Sequence, residues 1–543
     1  MSALRRLGRV VRSIHATLLL GEEGDFTSWA ILAVLTGAYI GFSLSLVKVF
    51  GSTVVLEYTR FAHDNKAHLY IPRTIVDNGP NSKLANLGTV WLPLYHLTIM
   101  PFTLINQLYV TGLAGSLINA VLVATTSSII YLIVRGRLGI IASLTYGFSM
   151  YSLIHASSSY MVPIGQFLAV ASTYYLLRYV GNSSLKDLTK ASALALLATL
   201  ARYETWLTTA ALIAVVALKE FRERRYWVVP AYVPPALMGV IGWLAYNWVI
   251  FGNPLEFITH SSSGASGYYY LVISKLLNPL SIDLKSITYV ITWLAGPASL
   301  TLIPVGVASL LTDSKFRFKG LLKLIALTTP LILLLAACRK LLILDLPLYF
   351  YFLAPYLVIL NFLGVRFLIN FFSRYLRREG IVAAVLITLV VISFVAQEVM
   401  EYSLLGRELV VGGRRYLSNL NEWLGVITLW RSLGGGYVLA SSMFCSYNLS
   451  VLTGLSPRYI IDEYDINQLR KYSISPWSYG VSVVLIPSNL TYESLKHYLR
   501  ALVGSNDYVL LYYESKSWRK EFLKYYELRE VLPISGILVF TRK

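Results

Sequence analysis

Long apolar segments alternate with polar segments of varied length from residue 28 to residue 399. A helix needs about 20 predominantly apolar residues to cross a bilayer, and most of these segments approach that length. The pattern predicts eleven transmembrane helices, with an uncertainty of one or two because segment 189–202 is short. The predicted helices cover residues 28–50, 109–134, 138–155, 162–180, 189–202, 205–218, 227–250, 286–312, 320–338, 347–365 and 381–399.

The basic residues between these segments predict the orientation in the membrane. With a cytoplasmic N-terminus, the inner segments hold 20 Lys and Arg residues, whereas the membrane-connecting outer segments hold nine. Cytoplasmic loops are usually the more basic ones, so this orientation is favoured. An odd number of helices then places the C-terminus outside the cell. We predict a multi-pass protein of the cell membrane with an extracytoplasmic C-terminal domain.

The pattern changes in the last 140 or so residues, where the apolar runs shorten to strand length. Such runs occur at 437–440, 483–486, 508–512 and 537–540, and an amphipathic stretch at 492–503 lies between two of them. Strands that alternate with helices are typical of a small α/β domain. We therefore predict a cytoplasmic segment at 1–27, a transmembrane domain at 28–403 and an extracytoplasmic α/β domain at 404–543.

Composition supports the membrane assignment and excludes other classes. The 543 residues are 56% hydrophobic and 14% charged, whereas soluble proteins carry about 25% charged residues. These values exclude a soluble multidomain enzyme and a disordered chain. Two cysteines cannot form a disulfide framework or a cysteine-based metal site. The net charge of +19 indicates cytoplasmic loops and contacts with the lipid bilayer rather than nucleic acid.

The first outer segment, residues 51–108, concentrates acidic, basic and aromatic side chains. Arg60, Asp64 and His68 are four residues apart, which would place them on one face of a helix. An aspartate beside a histidine and a cation can be held ionised and can take a proton from a hydroxyl group. Composition alone equally allows a solvated interfacial loop that Trp and Tyr side chains anchor at the headgroups.

Further polar residues lie at the predicted outer ends of helices. Arg202 and Glu204 separate two short apolar runs, and Arg339 and Lys340 end another run. Cations at this depth can hold a lipid phosphate, and arginine matches the geometry of phosphate oxygens best. The alternative is an ion pair without a catalytic task, formed by Arg202 with Glu204 or by Arg339 with Asp345.

A divalent metal site is the less favoured interpretation of the first outer segment. His63 and His68 could bind a metal together with Asp64. However, Asn65 follows Asp64, so the segment lacks an adjacent acidic pair. We expect no cofactor, and hence activity that survives EDTA.

Several motifs, in order along residues 28–400, resemble those of the C-type membrane glycosyltransferases. In particular, they resemble those of archaeal relatives of protein O-mannosyltransferases and of aminoarabinose lipid A transferases. The block from Asp64 to Tyr70 is similar to an Asp-Glu-x-x-His-Leu segment of that family, with Asn65 in place of Glu. The other motifs are Leu87 to His96, Arg202-Tyr-Glu-Thr-Trp206, Asn247 to Pro254 and Tyr349 to Pro355.

The resemblance implies transfer of a sugar, such as mannose, from a polyprenyl (dolichyl-type) phosphate on the extracytoplasmic face. The first-loop aspartate of that family acts on the acceptor, and its counterpart here is Asp64. The acceptor could be a hydroxyl of a protein, a glycan or a lipid. The rival interpretation is a transporter or lipid flippase without transferase activity.

From the residues and the resemblance together, we expect an inverting transferase with Asp64 as the general base. Arg202, Arg339 and Lys340 are the candidates for binding the donor phosphate. His68 and His96 are candidate hydrogen-bond donors. Arg60, Glu204 and Tyr349 are further candidates for substrate binding.

Overall fold

The structure, a computed structural model, describes most of the chain. The described residues are 26–59, 64–78, 83–89, 91–259, 288, 291–292, 294, 296–312, 318–328, 351–376, 379–440, 443–462, 472–487, 516–533 and 537–543. Six residues singled out from the sequence lie outside these ranges, namely Arg60, His63, Arg339, Lys340, Asp345 and Tyr349.

The described residues are mostly helical. In chain order the helices are α1 (Phe26–Phe50), α2 (Asn65–Val76), α3 (Pro93–Thr103), α4 (Asn106–Val110), α5 (Leu113–Val134), α6 (Gly136–Gly147), α7 (Met150–Ala156), α8 (Val162–Asn182), α9 (Leu185–Thr199), α10 (Glu204–Arg222), α11 (Val228–Phe251), α12 (Glu256–Thr259), α13 (Ser299–Thr312), α14 (Ala354–Leu376), α15 (Glu379–Ser432), α16 (Met443–Tyr447) and α17 (Lys516–Tyr525).

Five of the helical segments in the described part of the chain are long and apolar enough to cross a membrane. They are Phe26–Phe50, Leu113–Val134, Val228–Phe251, Tyr351–Ser373 and Gly380–Ser432. A sixth span results if α6 and α7, which meet at 62°, count as one broken span. These helices confirm the predicted polytopic α-helical membrane fold. Of the eleven predicted spans, those at 286–312, 320–338 and 347–365 lie partly outside the described residues. The predicted segments at 162–180, 189–202 and 205–218 are helical but are not among the five segments named above.

Helix α15 is far longer than a membrane is thick. Its 54 residues extend over about 81 Å at 1.5 Å per residue, whereas the hydrocarbon core measures about 30 Å. Its first part exposes an apolar stripe, and its later part buries Trp423 and Ile427. The helix continues past residue 404 to Ser432 without a break. The stripe consists of Ile381, Val385, Leu389 and Ile392.

Contacts divide the chain into two compact units. The first unit comprises residues 1–45, 116–243 and 272–407, and the second comprises 46–115, 244–271 and 408–543. Small polar side chains join neighbouring helices within the first unit. The Ser127 hydroxyl lies 2.6 Å from the carbonyl oxygen of Ser143, and the Ser172 hydroxyl donates to the carbonyl of Ala191 at 2.7 Å.

The second unit contains a five-stranded mixed sheet. Its spatial order is β2-β1-β3-β5-β4, with β1 parallel to β2 and β3 and with β5 antiparallel to β3 and β4. Phe522 of α17 packs beside Phe540 in the core of this sheet. The strands are β1 (Tyr437–Ala440), β2 (Ile460–Ile461), β3 (Val481–Pro487), β4 (Tyr526–Val531) and β5 (Ile537–Arg542).

The sheet confirms the predicted α/β character of the C-terminal region. Three of the four predicted strands, at 437–440, 483–486 and 537–540, coincide with β1, β3 and β5. The predicted strand at 508–512 and the amphipathic stretch at 492–503 lie outside the described residues.

Candidate functional site

The first outer segment is a packed assembly, not the solvated interfacial loop that composition alone allowed. Every residue of α2 from Asn65 to Thr74 is buried, including Lys66 and Arg73. Lysine and arginine are almost never fully buried unless they are paired. Lys66 pairs with Glu57 and Arg73 pairs with Asp77, and these two ion pairs hold the buried helix in place.

Asp64 lies at the rim of this assembly, one residue before α2. Its φ of 63° and ψ of 6° are left-handed, a conformation that few residues other than Gly, Asn and Asp adopt. Its carbonyl oxygen accepts the N–H of His68 at 3.1 Å. The residue is partly exposed, whereas the ten residues that follow are buried.

The carboxylate of Asp64 does not cap the helix. Glu57 accepts the backbone N–H of Lys66 at 2.8 Å instead, so another residue satisfies this helix terminus. The predicted helical face through Arg60, Asp64 and His68 is corrected here. The helix begins only at Asn65, because the left-handed backbone of Asp64 cannot continue a right-handed helix.

His68 and His96 form a buried pair. His68 Nδ1 and His96 Nε2 are 3.0 Å apart, and the side chains belong to residues that are 1% and 0% exposed. The ring of Trp91 contacts the His68 ring edge-on, with 5.2 Å between centroids. A hydrogen bond needs one donor and one acceptor, so one of these two nitrogens carries a proton and the other does not. The tautomer of one ring therefore determines that of the other.

Burial lowers the pKa of His96 to about 3. An unfolded histidine has a pKa near 6.5, so the folded state holds His96 neutral. This contribution to stability is present above about pH 6.5 and is lost as the pH falls toward 3.

We expect acidification from pH 6.5 to 4.5 to destabilise the wild type by up to about 1.4 kcal/mol per pH unit through this residue. The His96→Gln variant should show a shallower dependence, since glutamine can hydrogen-bond but does not titrate. Thermal unfolding in detergent at pH 7.0, 5.5 and 4.5 measures the difference. Parallel curves for the two proteins would show that His96 does not titrate in this way.

Lys66 is the centre of a buried polar cluster. Its ammonium lies 3.2 Å from a Glu57 carboxylate oxygen and 2.6 Å from Asn448 Oδ1. The Tyr58 hydroxyl, 3.4 Å away, also accepts a hydrogen bond from the Asn419 side chain. Burial lowers the pKa of Lys66, but the Glu57 carboxylate and Tyr58 outweigh it and raise the pKa.

The other end of α2 is held by a second charged cluster. Arg73 lies 3.1 Å from Asp77 and 4.3 Å above the Tyr109 ring, and Arg458 pairs with the same aspartate. Burial raises the pKa of Asp77, but hydrogen bonds from Arg458, Ser456 and Arg73 outweigh it and lower the pKa.

The C-terminal segment 443–462 thus supplies partners along the whole of α2. In addition to Asn448 and Arg458, Asp462 accepts a hydrogen bond of 2.7 Å from Tyr70. Sequence reasoning missed these contacts, since the partners are more than 380 residues apart and no local pattern marks them.

Arg202 and Glu204 form the ion pair that the sequence allowed as an alternative. The Arg202 guanidinium contacts both carboxylate oxygens of Glu204, with Nε at 3.0 Å from Oε2. Both residues belong to the first unit. Glu204 is the first residue of α10, and Arg202 lies two residues before it. Gly165 of α8 makes room for the arginine, because an added Cβ would lie 2.8 Å from Arg202 Cγ.

We expect Gly165→Ala to displace Arg202 and to lower activity at least tenfold if this arginine binds substrate. Gly181→Ala is the matched control, because that glycine lies on the same helix with no heavy atom within 4 Å of an added Cβ. Alanine is the better helix former by about 1 kcal/mol, so the control should be neutral or slightly stabilised. Thermal unfolding and turnover of both variants test this. Equal melting temperatures and equal rates would show that the space at Gly165 is not needed to position Arg202.

A buried cluster of aromatic and polar residues in the first unit was not chosen as a site from the sequence. The His155 ring stacks on Tyr351 with 4.1 Å between centroids, and the Tyr351 hydroxyl contacts Ser152 at 2.6 Å. The predicted helix at 138–155 gave no sign of this cluster, because the chain bends at Ser149, whose hydroxyl caps α7.

Among the residues that the structure describes, no group of three or more His, Cys, Asp or Glu side chains is arranged to hold a metal ion. His63, which the sequence offered as a ligand beside His68, lies outside these residues.

Comparison with known proteins gives a likeness among solved structures only. No protein-family model and no curated protein matches the chain. The chain is similar to ArnT from Cupriavidus metallidurans bound to undecaprenyl phosphate, with a TM-score of 0.48 and 15% identity over 87% of this chain and 95% of that one. For ArnT of the same organism in the apo state the TM-score is 0.47 and the identity is 13%, over 85% and 95%.

Proposed function

We propose that this chain is a membrane glycosyltransferase that moves a sugar from a polyprenyl-phosphate donor to an acceptor hydroxyl. The observation that carries the proposal is the placement of Asp64. It is partly exposed, left-handed and set at the rim of a helix that is otherwise buried and fixed by charge pairs. A rigid support of this kind is what a base needs if it is to meet its substrate in one geometry.

The proposed reaction is a single displacement. Asp64 takes the proton of the acceptor hydroxyl as its oxygen attacks the anomeric carbon, and the bond from that carbon to the phosphate oxygen breaks. The polyprenyl phosphate leaves with the bonding electrons, so the configuration at the anomeric carbon inverts. We assign Arg202, oriented by its pair with Glu204, to stabilise the charge that develops on the phosphate. Arg339 and Lys340 remain candidates for the same task.

The proposal extends to the substrates and the location. The donor is a dolichyl-type phosphate hexose, such as mannose, and the acceptor is a protein, a glycan or a lipid on the extracytoplasmic side. The reaction as written has no metal-dependent step. The ordered motifs along residues 28–400 support the donor class.

The test is turnover by the purified protein in detergent. Dolichyl-phosphate hexoses carrying mannose, glucose or N-acetylglucosamine are supplied with membrane extracts as the source of acceptor, and release of dolichyl phosphate is followed with and without EDTA. We expect release for at least one hexose in both conditions. Binding without release would contradict a transferase and favour a transporter or flippase, and loss with EDTA that manganese restores would contradict the metal-free reaction.

We propose that the N-terminus is cytoplasmic and that residues 404–543 are outside, as the distribution of basic residues favours. Single-cysteine variants in a chain with Cys338 and Cys445 replaced by alanine test this. An impermeant maleimide should label Arg529→Cys in intact cells, and should label Lys186→Cys only after permeabilisation, since both positions are exposed. The reverse labelling would invert the topology.

A further inference from the structure

The buried cluster around Tyr351 satisfies its own hydrogen bonds almost completely. The Tyr351 hydroxyl contacts those of Ser152 at 2.6 Å and Tyr146 at 2.9 Å. Tyr146 donates to Gln166 Oε1 at 2.6 Å, and Gln166 Nε2 donates to the Tyr351 carbonyl at 2.7 Å. Buried polar groups in folded proteins are normally paired in this way.

His155 differs from the four residues just named. It is 0% exposed, and its Nδ1 lies 2.8 Å from the carbonyl oxygen of Tyr151. A carbonyl only accepts, so Nδ1 carries the proton and Nε2 of the neutral ring is an acceptor. Within the described part of the chain, this Nε2 has no hydrogen-bond partner.

A second buried polar atom without a partner among the described residues lies two positions further on, at the Ser157 hydroxyl. A charged imidazole is unfavourable at a fully buried position, so the ring is neutral and its Nε2 remains an acceptor. A ligand that completes this cluster must therefore offer a hydrogen-bond donor to Nε2.

The two parts of a lipid-linked sugar differ in this respect. The oxygens of a phosphodiester are acceptors only, and the polyprenyl tail has no polar hydrogen. The hydroxyl groups of the sugar are donors. Leaving a buried acceptor without a donor costs free energy, which a sugar hydroxyl would recover.

We propose that His155 Nε2 accepts a hydrogen bond from a hydroxyl of the donor sugar, and that His155 thereby selects the sugar-bearing lipid over the bare lipid phosphate. Ser157 contributes to the same subsite. This inference rests on the proposed function and names the segment of the chain that recognises the sugar.

The experiment is a binding titration of the purified full-length protein by intrinsic tryptophan fluorescence. The probes are bare dolichyl phosphate and dolichyl phosphate that carries mannose, glucose or N-acetylglucosamine. We expect the wild type to prefer at least one sugar-bearing lipid. The loss of one hydrogen bond in His155→Phe should reduce that preference about three- to tenfold and leave the affinity for the bare lipid unchanged. His155→Gln retains an acceptor and should recover part of the preference, and Ser157→Ala should lose less.

Two further measurements separate this role from a structural one. Phenylalanine keeps the ring that stacks on Tyr351 but also removes the Nδ1 hydrogen bond to the Tyr151 carbonyl, so the melting temperature should fall only slightly. A markedly lower melting temperature with equal loss of affinity for all lipids would assign His155 to the scaffold and overturn the inference. Unchanged discrimination in His155→Phe, or a wild type without preference for any sugar, would also overturn it. The titration requires no turnover, so it can fail while the transferase proposal stands, and the turnover assay can fail while the titration succeeds.

Discussion

Replacing Asp64 with asparagine is expected to reduce transfer at least 10²- to 10⁴-fold, the range typical of removing a general base. The amide of asparagine cannot take the acceptor proton at neutral pH. The fold should survive, because asparagine adopts the left-handed backbone conformation seen at Asp64 about as readily as aspartate does. Initial rates of dolichyl phosphate release, with thermal unfolding of the same preparations, measure both effects.

Asp77→Asn is the matched control, since it removes a carboxylate that follows the other end of the same helix. Asp77 bridges Arg73 and Arg458, so this variant should lose about 1–3 kcal/mol of stability and keep turnover per folded molecule within a few-fold. A variant at Asp64 that retained more than about a tenth of the wild-type rate would exclude it as the base. Equal losses of turnover in both variants would point to a damaged fold instead.

Apolar periodicity located the main elements well, because burial in lipid or in a sheet imposes a continuous local pattern. The helix predicted at 28–50 begins two residues earlier and ends at the same residue. The strand predicted at 437–440 has the observed bounds. The break between α6 and α7 was missed, since a helix cap at Ser149 interrupts an apolar run without changing its composition.

The candidate site was only partly accessible to sequence reasoning. Asp64 and the helix that follows it stood out as polar residues in an apolar chain. The left-handed conformation of Asp64 and the contact of Lys66 with Asn448, 382 positions away, depend on tertiary packing. Neither leaves a periodic signal in the sequence.

The Glu57–Lys66 ion pair is expected to make a large contribution to the free energy of unfolding. Lys66 is 3% exposed, and removal of one partner from a buried ion pair typically costs about 3–5 kcal/mol. We expect Lys66→Met to lower the free energy of unfolding by about 3 kcal/mol, the lower end of that range, because Glu57 is partly solvated. Chemical unfolding in detergent measures this. Lys48→Met makes the same substitution at an exposed position and should stay within about 0.5 kcal/mol of the wild type.

The pair should also influence turnover, because Glu57 holds the first turn of α2 through the backbone of Lys66, two residues after Asp64. Lys66→Met and Glu57→Gln should each lower kcat more than they raise KM. The double variant should lose less than the two single losses combined, since neither charge is then buried alone. Strictly additive losses would show that the two side chains act independently.

The pH dependence of the free energy of unfolding tests separately whether the charge of Lys66 is stabilising. The pKa of Lys66 is raised by Glu57 and Tyr58 despite burial, so its ammonium is favoured in the folded state. That contribution to stability is fully present below the unfolded pKa of about 10.4 and is lost as the pH rises through the higher pKa of the folded state. The stability difference between wild type and Lys66→Met should therefore be constant from pH 7 to 10 and should shrink above about pH 10.5. A difference that remained constant into that range would mean that Lys66 stabilises the helix by packing rather than by charge.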